Sequence, residues 1–174
     1  MKRKSQSRPK VAILMGSDSD LEVMREAEKR LDYFGIPYET RILSAHRAPE
    51  KTHEYAASAC ERGIEVIIVG AGAAAHLAGA VAANTTLPVI GVPIDSSSLK
   101  GLDALLSTVQ MPAGVPVATM AIGKAGAANA GIFAAEILAR TDQQLSAKLA
   151  QLKREMASGV EEKDRKLREE RQRR

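Results

Sequence analysis

Three short stretches of this 174-residue chain combine residue types that could hold an anion, recognise a sugar and move a proton. The first is Gly16-Ser17-Asp18-Ser19-Asp20. Gly16 permits a tight turn, and a helix starting just after it offers free backbone N–H groups to a negatively charged group. Ser17 and Ser19 add hydroxyl donors, and Asp20 could accept hydrogen bonds from ribose hydroxyls. Capping alone also accounts for Ser and Asp here, because Ser19-x-x-Glu22 has the form of a capping box. The second stretch is Ser44-Ala45-His46-Arg47-Ala48-Pro49. Capping needs neither a His nor an Arg at that place. Arg47 suits a phosphate or carboxylate, and His46 is a natural proton carrier near neutral pH. The third is Gly70-Ala71-Gly72-Ala73-Ala74-Ala75-His76, where small residues let backbone N–H groups approach a ligand closely. His76 is expected in the first turn of the following helix, as a catalytic group or as a structural one. The candidate set is therefore His46 and His76 for catalysis, with Ser17, Ser19, Asp20, Ser44, Arg47, Gly72 and Ala74 for substrate binding.

Other chemistries find little support. The three histidines are His46, His53 and His76, and no pair has the spacing of a zinc-binding helix. Cys60 is the single cysteine, which excludes a disulfide framework within one chain and a cysteine metal cluster. Its neighbours Ala56, Ala59 and Ile64 predict a buried, inert thiol. There is no Gly-x-Ser-x-Gly elbow and no phosphate-loop lysine motif, and Gly70-x-Gly72 lacks the third Gly of a dinucleotide fingerprint. A phospho-acceptor domain would need an Asp at the end of strand three, where this chain has Gly70-Ala71-Gly72. A flavin site would need aromatic rings, and the chain has three Tyr, two Phe and no Trp. Neither metal nor cofactor is expected.

The three stretches must be positioned by the elements around them. Val11–Met15 reads as a strand ending at Gly16, and Leu21–Phe34 as a helix stopped by Gly35. Tyr38–Leu43 reads as a second strand, and Pro49–Arg62 as a helix with Pro in its first turn. Val66–Val69 is an unbroken apolar strand, followed by a short helix over Ala74–Ala83. Val89–Val92, a small helix around Leu102–Val109, a strand within Pro116–Ile122 and a helix over Ala125–Arg140 complete the pattern. Continuous apolar strands separated by helices indicate a parallel sheet covered on both faces. The fold class is α/β, a flavodoxin-like three-layer sandwich with a doubly wound five-stranded sheet in the order 2-1-3-4-5. That order brings the turns after strands one, two and three together at the carboxyl end of the sheet, where such folds bind ligands. Two segments, Gly70–Ala83 and Gly123–Ala135, are dominated by Gly and Ala. They suit tight helix–sheet packing, or contact between subunits or over a ligand.

The net charge of +4 resides in the ends. Residues 1–10 carry +5 and residues 161–174 carry +2, leaving −3 on residues 11–160. With few aromatic rings for base stacking, nucleic acid is not an expected partner. No apolar run is long enough to span a bilayer, so no membrane partner is expected and the chain is read as cytoplasmic. A single catalytic domain is expected over 11–157, including a C-terminal helix with Leu145, Leu149 and Leu152 on one face. A basic tail precedes it at 1–10. A charged tail follows at 158–174, disordered or a solvated helix, because it has little apolar surface to offset its ordering entropy.

Together these motifs resemble the N5-carboxyaminoimidazole ribonucleotide mutase family (class I) of purine biosynthesis. The matching stretches are Met15–Asp20, Ser44–Pro49, Gly70–Gly79, Leu87–Pro93, Val109–Pro112, Gly114–Ala118 and Ala121–Asn129, in one order across most of residues 11–140. The resemblance implies conversion of N5-carboxyaminoimidazole ribonucleotide to 4-carboxy-5-aminoimidazole ribonucleotide. It also implies substrate contacts at Ser17, Asp20 and Arg47, an acid/base role for His46, and a homo-octamer. Two positions depart from the family pattern, Ala73 in place of Gly and Ala78 in place of Pro, and Ala73 is a poor residue for positive φ. Two other readings are a carboxylase of the same fold that takes free CO₂ and uncarboxylated aminoimidazole ribonucleotide, and a non-catalytic nucleotide-binding module.

Overall fold

Strand β1 (Val11–Met15) is wholly buried, every residue 0% exposed. The computed structural model describes residues 8–172; most of the basic segment 1–10 lies outside the described residues. A one-turn 3-10 helix at Asp18–Asp20 leads from β1 into α1 (Leu21–Phe34), whose buried stripe is Met24, Ala27, Leu31 and Phe34; the apolar spacing predicts a stripe of Leu21, Met24, Ala27/Glu28 and Leu31, and Leu21 is only half-buried. Gly35 ends α1 in the left-handed conformation, φ 74° and ψ 27°, and Ile36 N–H bonds back to Leu31 O. The chain continues through β2 (Tyr38–Ile42), α2 (Pro49–Ser58), β3 (Val66–Gly72), α3 (Leu77–Ala82), β4 (Val89–Ile94), α4 (Leu102–Val109), β5 (Ala118–Thr119), α5 (Lys124–Leu138) and α6 (Gln143–Gln172).

All five strands pair in parallel in the order β2-β1-β3-β4-β5, as the flavodoxin-like reading requires. Ala12, Leu14, Ile67 and Val69 face a core completed by Tyr55 and Ala56 of α2, Leu77, Ala78 and Val81 of α3, and Ala104 of α4. Each fully buried Ile or Leu of β1 and β3 contributes about 1.5–3 kcal/mol by leaving water. β2 lies at the edge and is half-exposed, which is why its apolar pattern is weak. The Gly/Ala-rich α5 packs closely within the chain. Ala127, Ala130, Ala134 and Ala135 are fully buried, and Gly131 lies so near Ala27 and Arg30 of α1 that a Cβ there would meet the Ala27 carbonyl oxygen at 2.9 Å.

Several expectations need correcting. α2 stops at Ser58, and residues 59–63 form turns rather than the last helical turn. Ala59 and Ile64 take the buried positions there, and Cys60 is exposed rather than inert in the core. The capping box is not Ser19 with Glu22. The extra 3-10 turn moves the helical entry back two residues, so Ser17 caps it and Asp20 closes the box, while Glu22 reaches across to Lys124 Nζ at 2.5 Å. α3 begins at Leu77, so His76 is its N-cap and not part of its first turn.

The chain divides into two compact units at Ile137/Leu138. In the second, α6 runs unbroken from Gln143 through Gln172, past Gly159, with Leu145 and Leu152 buried and nearly every residue beyond Leu152 exposed.

Candidate active site

The carboxyl ends of β1 to β4 surround a cavity of about 350 Å³. Between β1 and β3 the strand order reverses, so the chain leaves these two strands in opposite directions and opens a crevice there. Every candidate residue lines it: Ser17, Ser19 and Asp20 from the turn after β1, Ser44, His46 and Arg47 from the turn after β2, and Gly72, Ala74 and His76 from the end of β3 and the turn after it.

The first turn is held by its own polar atoms. Ser17 N–H donates to Asp20 Oδ2 at 3.2 Å, and Ser19 N–H donates to Ser17 Oγ at 3.3 Å. Asp20 is only 5% exposed. Burial raises its pKa above the usual carboxylate value, opposed by hydrogen bonds from Ser17, Ser19 and Gly16, and Asp18 nearby adds a further push upward. The second turn is tied to the first. Arg47 Nη2 donates to Gly16 O at 2.9 Å, and both Arg47 N–H and Nε–H reach Ser44 Oγ, at 3.2 and 3.4 Å. The guanidinium is therefore tied to the carboxyl end of β1 through the Gly16 carbonyl and to the second turn through the Ser44 hydroxyl, in a cavity that Ser17 also lines.

His46 Nε2 lies 2.8 Å from His76 Nδ1, with the rings nearly perpendicular. One nitrogen must donate and the other accept, so a single proton occupies the gap. Capping alone does not call for this pairing of side chains 30 positions apart. His53 takes no part; its Nδ1 pairs with Asn84 Oδ1 at 2.6 Å.

The loop that delivers His76 keeps its turn without the expected Gly. Ala73 adopts φ 50°, disfavoured for an L-residue by about 1–2 kcal/mol. The turn therefore survives at Ala73, held between the end of β3 and the entry to α3. At Gly72 the cavity lining is bare backbone: a Cβ there would collide with the Ser96 side chain and approach Ile94 O to 3.2 Å.

Ser96 also lines the cavity and is not among the expected residues. The expectation takes only the turns after the first three strands. The signal is present in Asp95-Ser96-Ser97-Ser98, a polar run directly after β4 at the same end of the sheet.

Comparison with known proteins places this geometry. A protein from Pyrococcus horikoshii named N5-carboxyaminoimidazole ribonucleotide mutase is 56% identical over 162 residues, 93% of this chain and 90% of that protein. The Bacillus subtilis protein of the same name is 60% identical over 141 residues, 81% of this chain and 87% of its own. Among solved structures, Treponema denticola PurE superposes with a TM-score of 0.81 at 30% identity, covering 92% of this chain and 99% of that one. The AIR carboxylase family model matches residues 10–159, which takes in all five strands and every turn around the cavity, and the chain belongs to that family.

Proposed function

We propose that this chain converts N5-carboxyaminoimidazole ribonucleotide to 4-carboxy-5-aminoimidazole ribonucleotide, the isomerase reaction for which its 52–60% identical relatives are named. The observation that carries the reading is the His46–His76 pair at the rim of a cavity that also offers Arg47, serine hydroxyls and a buried carboxylate.

The substrate presents a phosphate, ribose hydroxyls and a carboxylate on nitrogen. Arg47, Ser17 and Ser44 form a cluster suited to the phosphate, as a charge and two hydroxyls on a rigid turn. Asp20 is a fixed acceptor for ribose hydroxyls. Protonated His46 gives its proton to the exocyclic nitrogen as the N–C bond breaks, releasing CO₂ and an electron-rich aminoimidazole. The ring carbon attacks the same CO₂, forming the C–C bond. Neutral His46 then takes the proton from that carbon and aromaticity returns. The proton given equals the proton taken, so neither redox partner nor nucleotide triphosphate enters the balance. His76 fixes the ring plane and tautomer of His46 as a positioning residue.

Synthetic N5-carboxyaminoimidazole ribonucleotide, followed by the ultraviolet absorbance of its product, tests the reading directly. Turnover with that substrate, and none with aminoimidazole ribonucleotide plus bicarbonate at comparable concentration, supports the mutase. The reverse preference establishes the carboxylase instead. Turnover is expected to persist in chelator, because among the described residues no three His, Cys, Asp or Glu side chains come together to hold a metal ion. A homo-octamer belongs to the same proposal, and light scattering at micromolar concentration tests it, a monomer mass being the contrary result. No helix among the described residues is long and apolar enough to cross a membrane, and a cytoplasmic setting fits a small-molecule biosynthetic enzyme.

A further inference from the structure

The cavity has two unlike ends. Ser17, Ser44 and Arg47 line it from the turns after β1 and β2, and Ser96 lines it from the turn after β4. Three strand spacings of about 4.8 Å each separate β2 from β4 in the sheet. The contact between His46 and His76 carries the proton donor away from the β2 turn to the turn after β3. A ribonucleotide whose phosphate meets Arg47 and whose imidazole meets His46 therefore has the Ser96 end beside its reacting atoms.

That end is chemically plain. Ala71, Ala74 and Leu77 line it with apolar surface, and Gly72 adds backbone. Ser96 Oγ lies 1.7 Å from the point that a Gly72 Cβ would occupy, so the missing side chain at Gly72 is what makes room for the hydroxyl. Among the described residues that hydroxyl has no hydrogen-bond partner. Asp20 and Arg47, the lining residues that are charged at any ordinary pH, come from the turns at the other end.

Release of CO₂ from nitrogen and its recapture by carbon require a place where the molecule waits. CO₂ is neutral and largely apolar, with two oxygens that accept weak hydrogen bonds. An apolar wall with one free hydroxyl suits it. A serine hydroxyl also turns about its own bond, so it can follow the group from nitrogen-bound carboxylate through CO₂ to carbon-bound carboxylate. A cation in that place would favour both carboxylates over the CO₂ between them and so raise the barrier. We infer that Ser96 holds the migrating CO₂ against the wall formed by Ala71, Ala74 and Leu77, and that its hydroxyl governs whether the CO₂ is recaptured or lost. The inference rests on the mutase reading above.

The fate of the label tests it. Synthetic N5-carboxyaminoimidazole ribonucleotide carrying carbon-13 in its N-carboxylate is converted in buffer containing unlabelled bicarbonate. Mass spectrometry reads the label in the first-formed 4-carboxy product, with uncatalysed loss subtracted. The parent chain is expected to keep most of the label. Ser96→Ala should lose about two- to tenfold more of it, the effect of one neutral hydrogen bond. It should also release correspondingly more uncarboxylated aminoimidazole ribonucleotide. Ser96→Cys fills the same space with only a weak donor and should leak as Ser96→Ala does. Equal label loss in the parent and Ser96→Ala, at whatever level, overturns the inference. Parent-like retention in Ser96→Cys overturns it too, since space and not the hydroxyl would then be the cause. A folded Ser96→Ala chain that no longer consumes substrate would place Ser96 in the first bond-breaking step, against the inference. A parent chain that fails to convert the substrate overturns the mutase reading itself, a result distinct from any change in retention with conversion intact.

Discussion

A group that both gives and takes a proton within one turnover must change its own protonation state, and this bears most heavily on His46. His46→Asn keeps a planar polar side chain beside His76 but cannot shuttle a proton. Turnover is expected to fall by about 10²–10⁴, the range of lost acid–base catalysis, while fold and substrate binding persist. Steady-state kinetics with equilibrium binding checks both, and near-normal turnover would remove His46 from the mechanism. Arg47→Ala should act mainly on binding. Loss of a charge-assisted hydrogen bond costs about 1.5–3 kcal/mol, so KM should rise roughly ten- to hundredfold with less change in kcat. Asp20 makes a prediction with a sign. Burial raises its folded-state pKa above the ordinary 3.8. The folded chain then holds that proton more tightly than the unfolded chain, so Asp20 lowers stability as pH rises from the unfolded value through the raised one. Asp20→Asn removes that dependence. Its stability relative to the parent should be greater at about pH 7 than at about pH 4, even as activity falls. Urea unfolding at the two pH values decides it, and a difference that shrinks as pH rises would show that hydrogen bonding outweighs burial.

At the level of elements, the legible parts are those with strong local chemistry. α1 and α4 begin and end where the periodicity places them, because the apolar spacing, and Gly35 after α1, leave little choice. β3 runs three residues further than its β-branched core, because Gly70-Ala71-Gly72 pairs with β4 in a register that only long-range contacts set. The 3-10 turn at Asp18–Asp20 is hidden for a similar reason. Both Ser17 and Ser19 can cap, and local sequence does not say which does. Cys60 turns outward because α2 ends one turn before the helical spacing suggests, and the facing inferred from a continued helix no longer applies. In the site, residue types point to the three turns, but that His46 and His76 touch depends on two loops meeting across the sheet. Gly72→Ala tests the floor beneath them. The added Cβ has no room beside Ser96 and Ile94 O, so destabilisation of about 1–3 kcal/mol from overpacking is expected, together with weaker substrate binding. Thermal unfolding and a binding isotherm would show it, and an unchanged pair of values would mean that the turn after β4 yields easily.

For the whole molecule, the separation into two compact units bears on what each is needed for. The residues that line the cavity all belong to the first unit. Deleting residues 161–174 should leave melting temperature and turnover close to those of the full chain, since these residues are exposed wherever they are described and none lines the cavity. Calorimetry and the turnover assay check this, and a large loss in either would mean that the segment supports the catalytic unit.

The crowding at Gly72 has an effect on how this cavity can change over generations. Any side chain added there runs into Ser96 and the Ile94 carbonyl before it reaches open space. Substitution at that position is therefore closed while the turn after β4 keeps its place. Variation is open instead at positions that already line the cavity with side chains, among them Ser17, Ser44, Arg47 and Ser96.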